Sequence, residues 1–267
     1  MNSVRFIGSS SPLNEIQAAT IEECAAYCKS KDVLGVDTET EGFDFTSKKM
    51  IMLQIGDKER QYVIDTRVVD ITLLKPILES HDIIKIFHNA KFDYKFIKKW
   101  AGISVEKIYD TFLVERVINC GKQDYGYSLS RCVERYLGAT LNKETRNKFI
   151  GLKGQPFTVD QITYGANDVV YLLDIRQKQL SLLHTYELEQ TARLENEVFS
   201  EIEFEGLDID KDKWTVMAEN NVKLAHEQSI KLDDMVLAHP LLQHYNIPVQ
   251  VDMFAPIEDI RHTHINW

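Results

Sequence analysis

Asp37 and Glu39 stand two residues apart at the end of an apolar strand, in VDTETEG (Val36–Gly42), so both side chains leave the same face of a sheet. Two carboxylates on one face repel each other. A divalent cation between them removes the repulsion, and hard oxygen donors select magnesium or manganese over zinc. Taken alone, the pair fits a solvent-facing strand end before a turn equally well. A further acid, Asp93, lies in HNAKFDYKFI (His88–Ile97), where a strand ends at His88–Asn89 and a helix begins. Its neighbours Phe92 and Phe96 should pack inward, and an acid among core-facing rings needs a partner. Lys91, Lys95 and Lys98 are near enough in sequence to supply one by salt bridge. In TYGANDVVYLLDI (Thr163–Ile175), Tyr164 and Asp168 fall at i and i+4 on one helical face, a spacing that serves chemistry or plain packing. The case for chemistry rests on the three segments together.

Such residues need a scaffold, and residues 1–187 read as alternating short apolar strands and amphipathic helices, the pattern of an α/β domain. Strands are predicted at Asp32–Thr40, Lys49–Gly56, Arg60–Thr66 and Asp82–Asn89, with a helix across Leu73–Glu79. The polar turn Asp57–Glu59 suits an antiparallel hairpin between the second and third strands. Thr20, with Glu23 at the capping-box position, predicts a helix over Ile21–Lys29. Ser128 predicts the start, and Gly138 the end, of a helix over Leu129–Leu137. A long helix should run from near Thr158 through Tyr186. Between Glu189 and Asp212 there are nine acidic residues and two basic ones, a compositional shift that places a boundary near residue 188. Beyond it come a helical stretch, the short segment Gly206–Asp210, a helix from about Lys213 to Ala238 and a Pro-containing tail.

A net charge of −10 disfavours broad coating of nucleic acid by a basic face. It leaves room for an enzyme that grips one strand locally while bound cations offset its acids. No apolar run approaches the ~20 residues that span a bilayer, and the N-terminus lacks a signal-peptide layout, so a soluble cytoplasmic protein is expected, with no membrane partner. Cys24, Cys28, Cys120 and Cys132 form no CxxC pair, which argues against zinc and fits reduced thiols.

VDTETEG, HNAKFDYKF and YGANDVVYL resemble, in order and spacing, the three motifs of the DEDD exonucleases, tyrosine subtype. That family includes the proofreading domains of bacterial and phage family A DNA polymerases, ribonuclease D and the Werner-type exonucleases. YDTFLVERVIN (Tyr109–Asn119) is similar to the family's Asp-Thr helix start, and YSLSRCVERYLG (Tyr127–Gly138) to its Leu-rich helix. The resemblance covers about residues 30–187 and implies an α/β, ribonuclease H-like mixed β-sheet flanked by helices. It also implies that Asp37, Glu39 and Asp168 hold one magnesium or manganese ion, that Asp37 bridges to a second, and that Asp93 reaches the second largely through water. Two ions about 3.5–4 Å apart make a nucleophile at neutral pH and stabilise the leaving oxygen. Tyr164, with a reference pKa of about 10, is a poor base at pH 7 and would orient the attacking water.

Asn89 is similar to a family asparagine that hydrogen-bonds the terminal sugar or strand, whereas His88 reads as structural. Phe43 either stacks on the terminal base or packs beside the first strand. KETRNKFIGLKG (Lys143–Gly154) carries four basic residues and one acid. Lys143, Arg146, Lys148 and Lys153 are therefore candidate phosphate contacts, unless the segment is merely a solvated loop.

LENEVFSEIEFEGLDIDKDKW (Leu194–Trp214) resembles the join between exonuclease domain and thumb in family A polymerases: an acidic helix, a glycine, a short apolar-acidic strand, a new helix. HINW (His264–Trp267) resembles the start of the segment before the polymerase body. No stretch resembles that family's palm or fingers motifs. The expectation is an exonuclease domain over 1–187 and a partial thumb-like helical extension over 188–267, as in a split or truncated polymerase, with no polymerase activity of its own. The resemblance thus implies a proofreading 3′–5′ exonuclease acting on single-stranded or frayed 3′ ends of DNA, with a DNA polymerase polypeptide as a further partner. The alternatives are a ribonuclease D-like RNA trimmer and an inactive DNA-holding or polymerase-docking module, the latter disfavoured by the intact set of five residues.

Overall fold

The apolar runs form a seven-stranded sheet in the computed structural model of the chain, which describes residues 3–9, 16–141, 152, 154–183, 186–206 and 208–240. The strands are β1 (Val4–Ile7), β2 (Gln17–Ala18), β3 (Val33–Thr40), β4 (Met50–Gly56), β5 (Gln61–Asp65), β6 (Ile84–Phe87) and β7 (Ile108–Asp110). Their order across the sheet is β2-β1-β5-β4-β3-β6-β7. The central ladders β3/β4 and β4/β5 are antiparallel, and β1/β2, β1/β5, β3/β6 and β6/β7 are parallel. The expected hairpin is β4–β5, with Met52 opposite Asp65 and Gly56 opposite Gln61. β1, β2 and β7 were not legible as strands, because two to four residues are too few to show a period.

The helices are α1 (Ile21–Lys29), α2 (Lys75–Leu78), α3 (Ala90–Ala101), α4 (Thr111–Ile118), α5 (Leu129–Leu137), α6 (Val159–Leu180), α7 (Tyr186–Glu205) and α8 (Lys211–Ala238). α1 starts with the capping box read from the sequence: the Glu23 N–H donates to Thr20 Oγ1, and the Thr20 N–H to Glu23 Oε2. α6 starts with a second box, Thr158 and Gln161. Ser128 occupies the cap position of α5 without capping it; its hydroxyl lies 3.2 Å from that of Ser130. Gly138 ends α5 in the left-handed region at φ 62°, its N–H donating to Glu134 O.

The sheet is buried on both faces. Leu34, Val36, Leu53, Ile55 and Ile64 pack under α1, α2 and α3 with Cys24, Leu78, Phe96 and Ile97. Met52 and Val63 point the other way, to Ile162 and Ala166 of α6. Each such side chain, fully buried, contributes about 1.5–3 kcal/mol. The four cysteines are free thiols. No helix among the described residues is long and apolar enough to cross a membrane.

The helix expected from Thr158 to Tyr186 is two helices, α6 ending at Leu180 and α7 beginning at Tyr186. Residue 188 therefore lies inside α7, and the chain divides later, into a unit Met1–Gly206 and a unit Leu207–Trp267. The acid-rich composition misled here because it reports the solvent side of α7, while Ala192, Asn196 and Ser200 on the same helix are buried against α3, α4 and β7. In the second unit, residues 208–210 form no strand, and α8 exposes Leu224 and Leu232. The side chains of Val236 and Leu237, and the tail beyond residue 240, lie outside what is described.

Candidate active site

β3 alternates across the pleat, so Gly35, Asp37 and Glu39 face α6 while Thr38 faces α3. α6 brings Asp168 over the same strand. One carboxylate oxygen from each of Asp37, Glu39 and Asp168 lies within 4.8 Å of the others, with Asp168 buried and the two strand acids half-buried. Tyr164, half-buried, stands one turn before Asp168 on the same helix and packs beside Phe157 and Ile162. Between them is Gly165, where an added Cβ would stand 2.5 Å from the Gln54 amide nitrogen. A helical glycine costs about 1 kcal/mol relative to alanine. Here it lets α6 settle onto Gln54, the fully buried β4 residue directly opposite Asp37.

Asp93 stands apart from these three. It is 3% exposed, in the first turn of α3, and accepts a 2.6 Å hydrogen bond from Thr38 Oγ1 on the other face of β3. Burial, and then the charge of Asp37, holds its carboxyl well above the usual carboxylate range, against the pull of the Thr38 bond. The lysines near it in sequence do not pair with it: Lys91 and Lys95 bind Glu203 of α7 at 2.7 and 2.6 Å, and Lys98 binds Glu201 at 2.6 Å.

Asn89 holds the left-handed conformation, φ 68° and ψ 52°, at the start of α3. An asparagine tolerates that region better than most residues, and Asp110 fixes it there. The N–H groups of Asn89 and Ala90 donate to the two Asp110 carboxylate oxygens at 2.9 and 2.8 Å, while Phe112 and Leu113 at the start of α4 donate to Oδ1. Asp110 is buried, and that burial raises its pKa although the four donors lower it. His88 is tied down as expected, with Nδ1 2.9 Å from Thr111 Oγ1.

Phe43 is 76% exposed, which removes the core-packing alternative; its ring meets that of Phe92 edge-on at 6.4 Å. Lys143, Arg146, Lys148 and Lys153 lie outside the described residues. Sequence reasoning missed Thr38 and the support role of Asp110. The Asp-Thr pair before an apolar run was a legible N-cap signal for the second; nothing local marks the first.

Residues 15–183 match the family described as 3′-5′ exonuclease. That span is well over half of the chain, and the chain belongs to this family of the DEDD exonuclease superfamily. DNA polymerase I of Aquifex aeolicus is 29% identical over 162 residues, which is 60% of this chain and 26% of that protein. A ribonuclease D of Sphingobium indicum is 29% identical over 173 residues, 64% of this chain and 42% of that protein. The chain thus spans less than half the length of either relative. The solved structure of Brucella melitensis NrnC bound to pGG superposes with a TM-score of 0.62 at 19% identity, covering 78% of this chain and 98% of that one. The same protein with bound Mg2+ gives 0.60. These two establish likeness of fold alone.

Proposed function

We propose that the chain is a divalent-metal-dependent 3′–5′ exonuclease of the tyrosine subtype, removing nucleotides from single-stranded or frayed DNA ends as the proofreading part of a DNA polymerase I-like enzyme. The observation that carries this reading is the convergence of Asp37, Glu39 and Asp168 within 4.8 Å beside Tyr164. Three carboxylates so close repel one another, and their all-oxygen donor set suits magnesium or manganese. When bound, such ions supply a nucleophilic water at neutral pH and offset charge on the leaving oxygen. Asp37, Glu39 and Asp168 would hold them. Asp93, bonded to Thr38 across the strand, would take part only through water.

Tyr164, a phenol and so a poor base at pH 7, serves as a hydrogen-bonding guide for the attacking water. Asn89, locked by Asp110, offers its amide to the terminal sugar, and the exposed Phe43 ring offers a face to the terminal base. Lys143, Arg146 and Lys148 are assigned to phosphates. The DNA polymerase I relative and the resemblance of Leu194–Trp214 to a thumb join support DNA as substrate, with the unit Leu207–Trp267 as a partial thumb and a polymerase polypeptide as partner. The ribonuclease D relative, equally identical, supports the second reading, an RNA trimmer.

The test is a side-by-side assay of 5′-labelled single-stranded DNA and RNA of one sequence with magnesium. Stepwise shortening of the DNA from its 3′ end is expected, and no primer extension when deoxynucleotides are added. Shortening of RNA alone would move the assignment to the second reading. No metal-dependent release from either substrate by folded protein would overturn both.

A further inference from the structure

A continuous row of rings leads away from the start of α3. His88, the residue before Asn89, meets Phe112 edge-on with ring centroids 5.7 Å apart. Phe112 meets Tyr127 at 6.1 Å, and Tyr127 meets Tyr125 at 5.6 Å. The guanidinium of Arg116 stands over both Phe112 and Tyr127, at 5.8 and 5.9 Å. At its far end the row opens into a groove of about 310 Å³ lined by Asp124, Tyr125, Gly126, Arg131, Glu134 and Arg135.

The exonuclease chemistry uses none of these groups, and the core does not need them. Phe112 and Arg116 lie at i and i+4 on α4 and share a face, whereas Leu113, Val114 and Val117 turn to the core. Phe112, Tyr125 and Tyr127 remain half-buried and Arg116 is exposed. The row is nonetheless rigid. Arg135 donates to buried Glu115 and to the carbonyls of Tyr125 and Gly126, and the Tyr127 hydroxyl donates to Lys122 O. Arg135 is thereby committed to the scaffold, and Arg131 is paired with Glu134. Arg116, exposed and standing over two of the rings, is a cation placed to face a ligand along them.

The rings meet edge-on or tilted, at 85°, 74° and 43°, so bases would lie over their open faces one at a time and not in a continuous stack, which suits an unstacked single strand. We propose that this row is a binding track for the substrate strand upstream of the scissile bond, with Phe112 and Tyr127 taking bases and Arg116 a phosphate. The proposal rests on the exonuclease reading and adds a second contact region to it. Because Asp124 and Glu134 line the far groove, the grip is led by rings rather than by net positive charge.

Binding is measured in the full chain carrying Asp37→Ala, so that turnover does not intervene, using fluorescence anisotropy with labelled octathymidylate and a labelled dinucleotide. The octamer is expected to bind about 10-fold or more tightly than the dinucleotide, since stacking gains accumulate per base. Arg116→Glu and Tyr127→Leu should each weaken octamer binding by about 10-fold. Arg116→Glu should also lower the salt slope by ~0.7, the value of one single-strand phosphate contact. Tyr127→Phe, which keeps the ring, should retain octamer affinity. An octamer no tighter than the dinucleotide, or octamer affinity unmoved by both substitutions at unchanged melting temperature, would overturn the track. Failure of the unsubstituted chain to hydrolyse any oligonucleotide is read in a separate assay and would instead overturn the exonuclease reading.

Discussion

Gly35 of β3 lies so close beneath α6 that a Cβ built on it would stand 2.7 Å from the carbonyl oxygen of Val169 and 2.9 Å from that residue's Cγ1. Asp37 follows two residues after Gly35, and Asp168 immediately precedes Val169. The contact therefore sets how near the helix carboxylate comes to the strand carboxylates. A backbone carbonyl cannot swing aside as a long side chain can, so the spacing is fixed by the absence of one methyl group.

Gly35→Ala should lift α6 from β3. Overpacking of this kind costs about 1–3 kcal/mol, and each kcal/mol lowers the melting temperature by ~2–4 °C in a domain of this size. Because the displacement separates metal-holding groups, hydrolysis at fixed magnesium should fall by about 10-fold or more, as small misplacements at a reacting centre do. A stable variant with unchanged rate would show that the helix-to-strand distance does not set the site.

Magnesium or manganese should raise the melting temperature of the wild type, because a ligand that binds only the folded state at 100 times its Kd stabilises by ~2.7 kcal/mol. Asp37→Ala should lose both that shift and all measurable hydrolysis, while Tyr164→Phe should keep the shift and a rate reduced by about 10²-fold. A thermal scan and a rate measurement on each variant separate holding the metal from guiding water. A full metal shift in Asp37→Ala would count against the acid cluster.

The strand–turn–strand centre of the fold was readable because β3, β4 and β5 are five to eight residues long with strong β-formers, and the capping box at Thr20 fixed the start of α1 within a residue. The strand period put Asp37 and Glu39 on one face and the helix period put Tyr164 and Asp168 on another, but that Asp168 meets the strand acids depends on how α6 packs on β3 and was implied only by the resemblance to the exonuclease motifs. Asp93 shows the limit. Its helix was predicted, but which side of β3 it would occupy depends on how α3 packs, and Thr38, the residue that answers this, carries no sign of it in the sequence. The boundary near residue 188 failed for the complementary reason, since composition counts the wet face of α7 and cannot see the buried one.

Asp93 should make the metal-free protein less stable as pH rises. Its folded-state pKa lies above the unfolded value of about 3.9, chiefly through burial, so the native state binds the proton more tightly. Between the unfolded pKa and the raised folded one, the native state therefore holds more protons than the unfolded state, and the stability this group contributes declines from about pH 4 upward. Asp93→Asn, which can still accept from Thr38, should flatten that decline. Melting temperatures in EDTA across pH 4–8 give the comparison; parallel curves for the two proteins would refute the assignment.

The unit that folds and hydrolyses should end at residue 206, not near 190. The three lysine pairs between α3 and α7 are partly exposed and worth about 0–1 kcal/mol each, so they do not by themselves hold α7 in place. Buried contacts do more. Ala192 is 2% exposed in the cluster with Ile86, Tyr109 and Leu172, and Phe204 stacks on Phe45 at 5.6 Å. Asn196, also buried, sends its amide to within 3.5 Å of Asp110 Oδ2 and is itself bonded by Ser200 Oγ at 2.8 Å. Asp110 fixes the turn at Asn89 from which α3 and Asp93 depart, so α7 supports the site as well as the core. A chain ending at residue 190 should lose the cooperative melting transition or show it many degrees lower, with hydrolysis lost alongside. A chain ending at residue 206 should melt near the full-length value and retain metal-dependent shortening of single strands. Equal stability and activity in the two truncations would mean that α7 is an appendage rather than part of the domain.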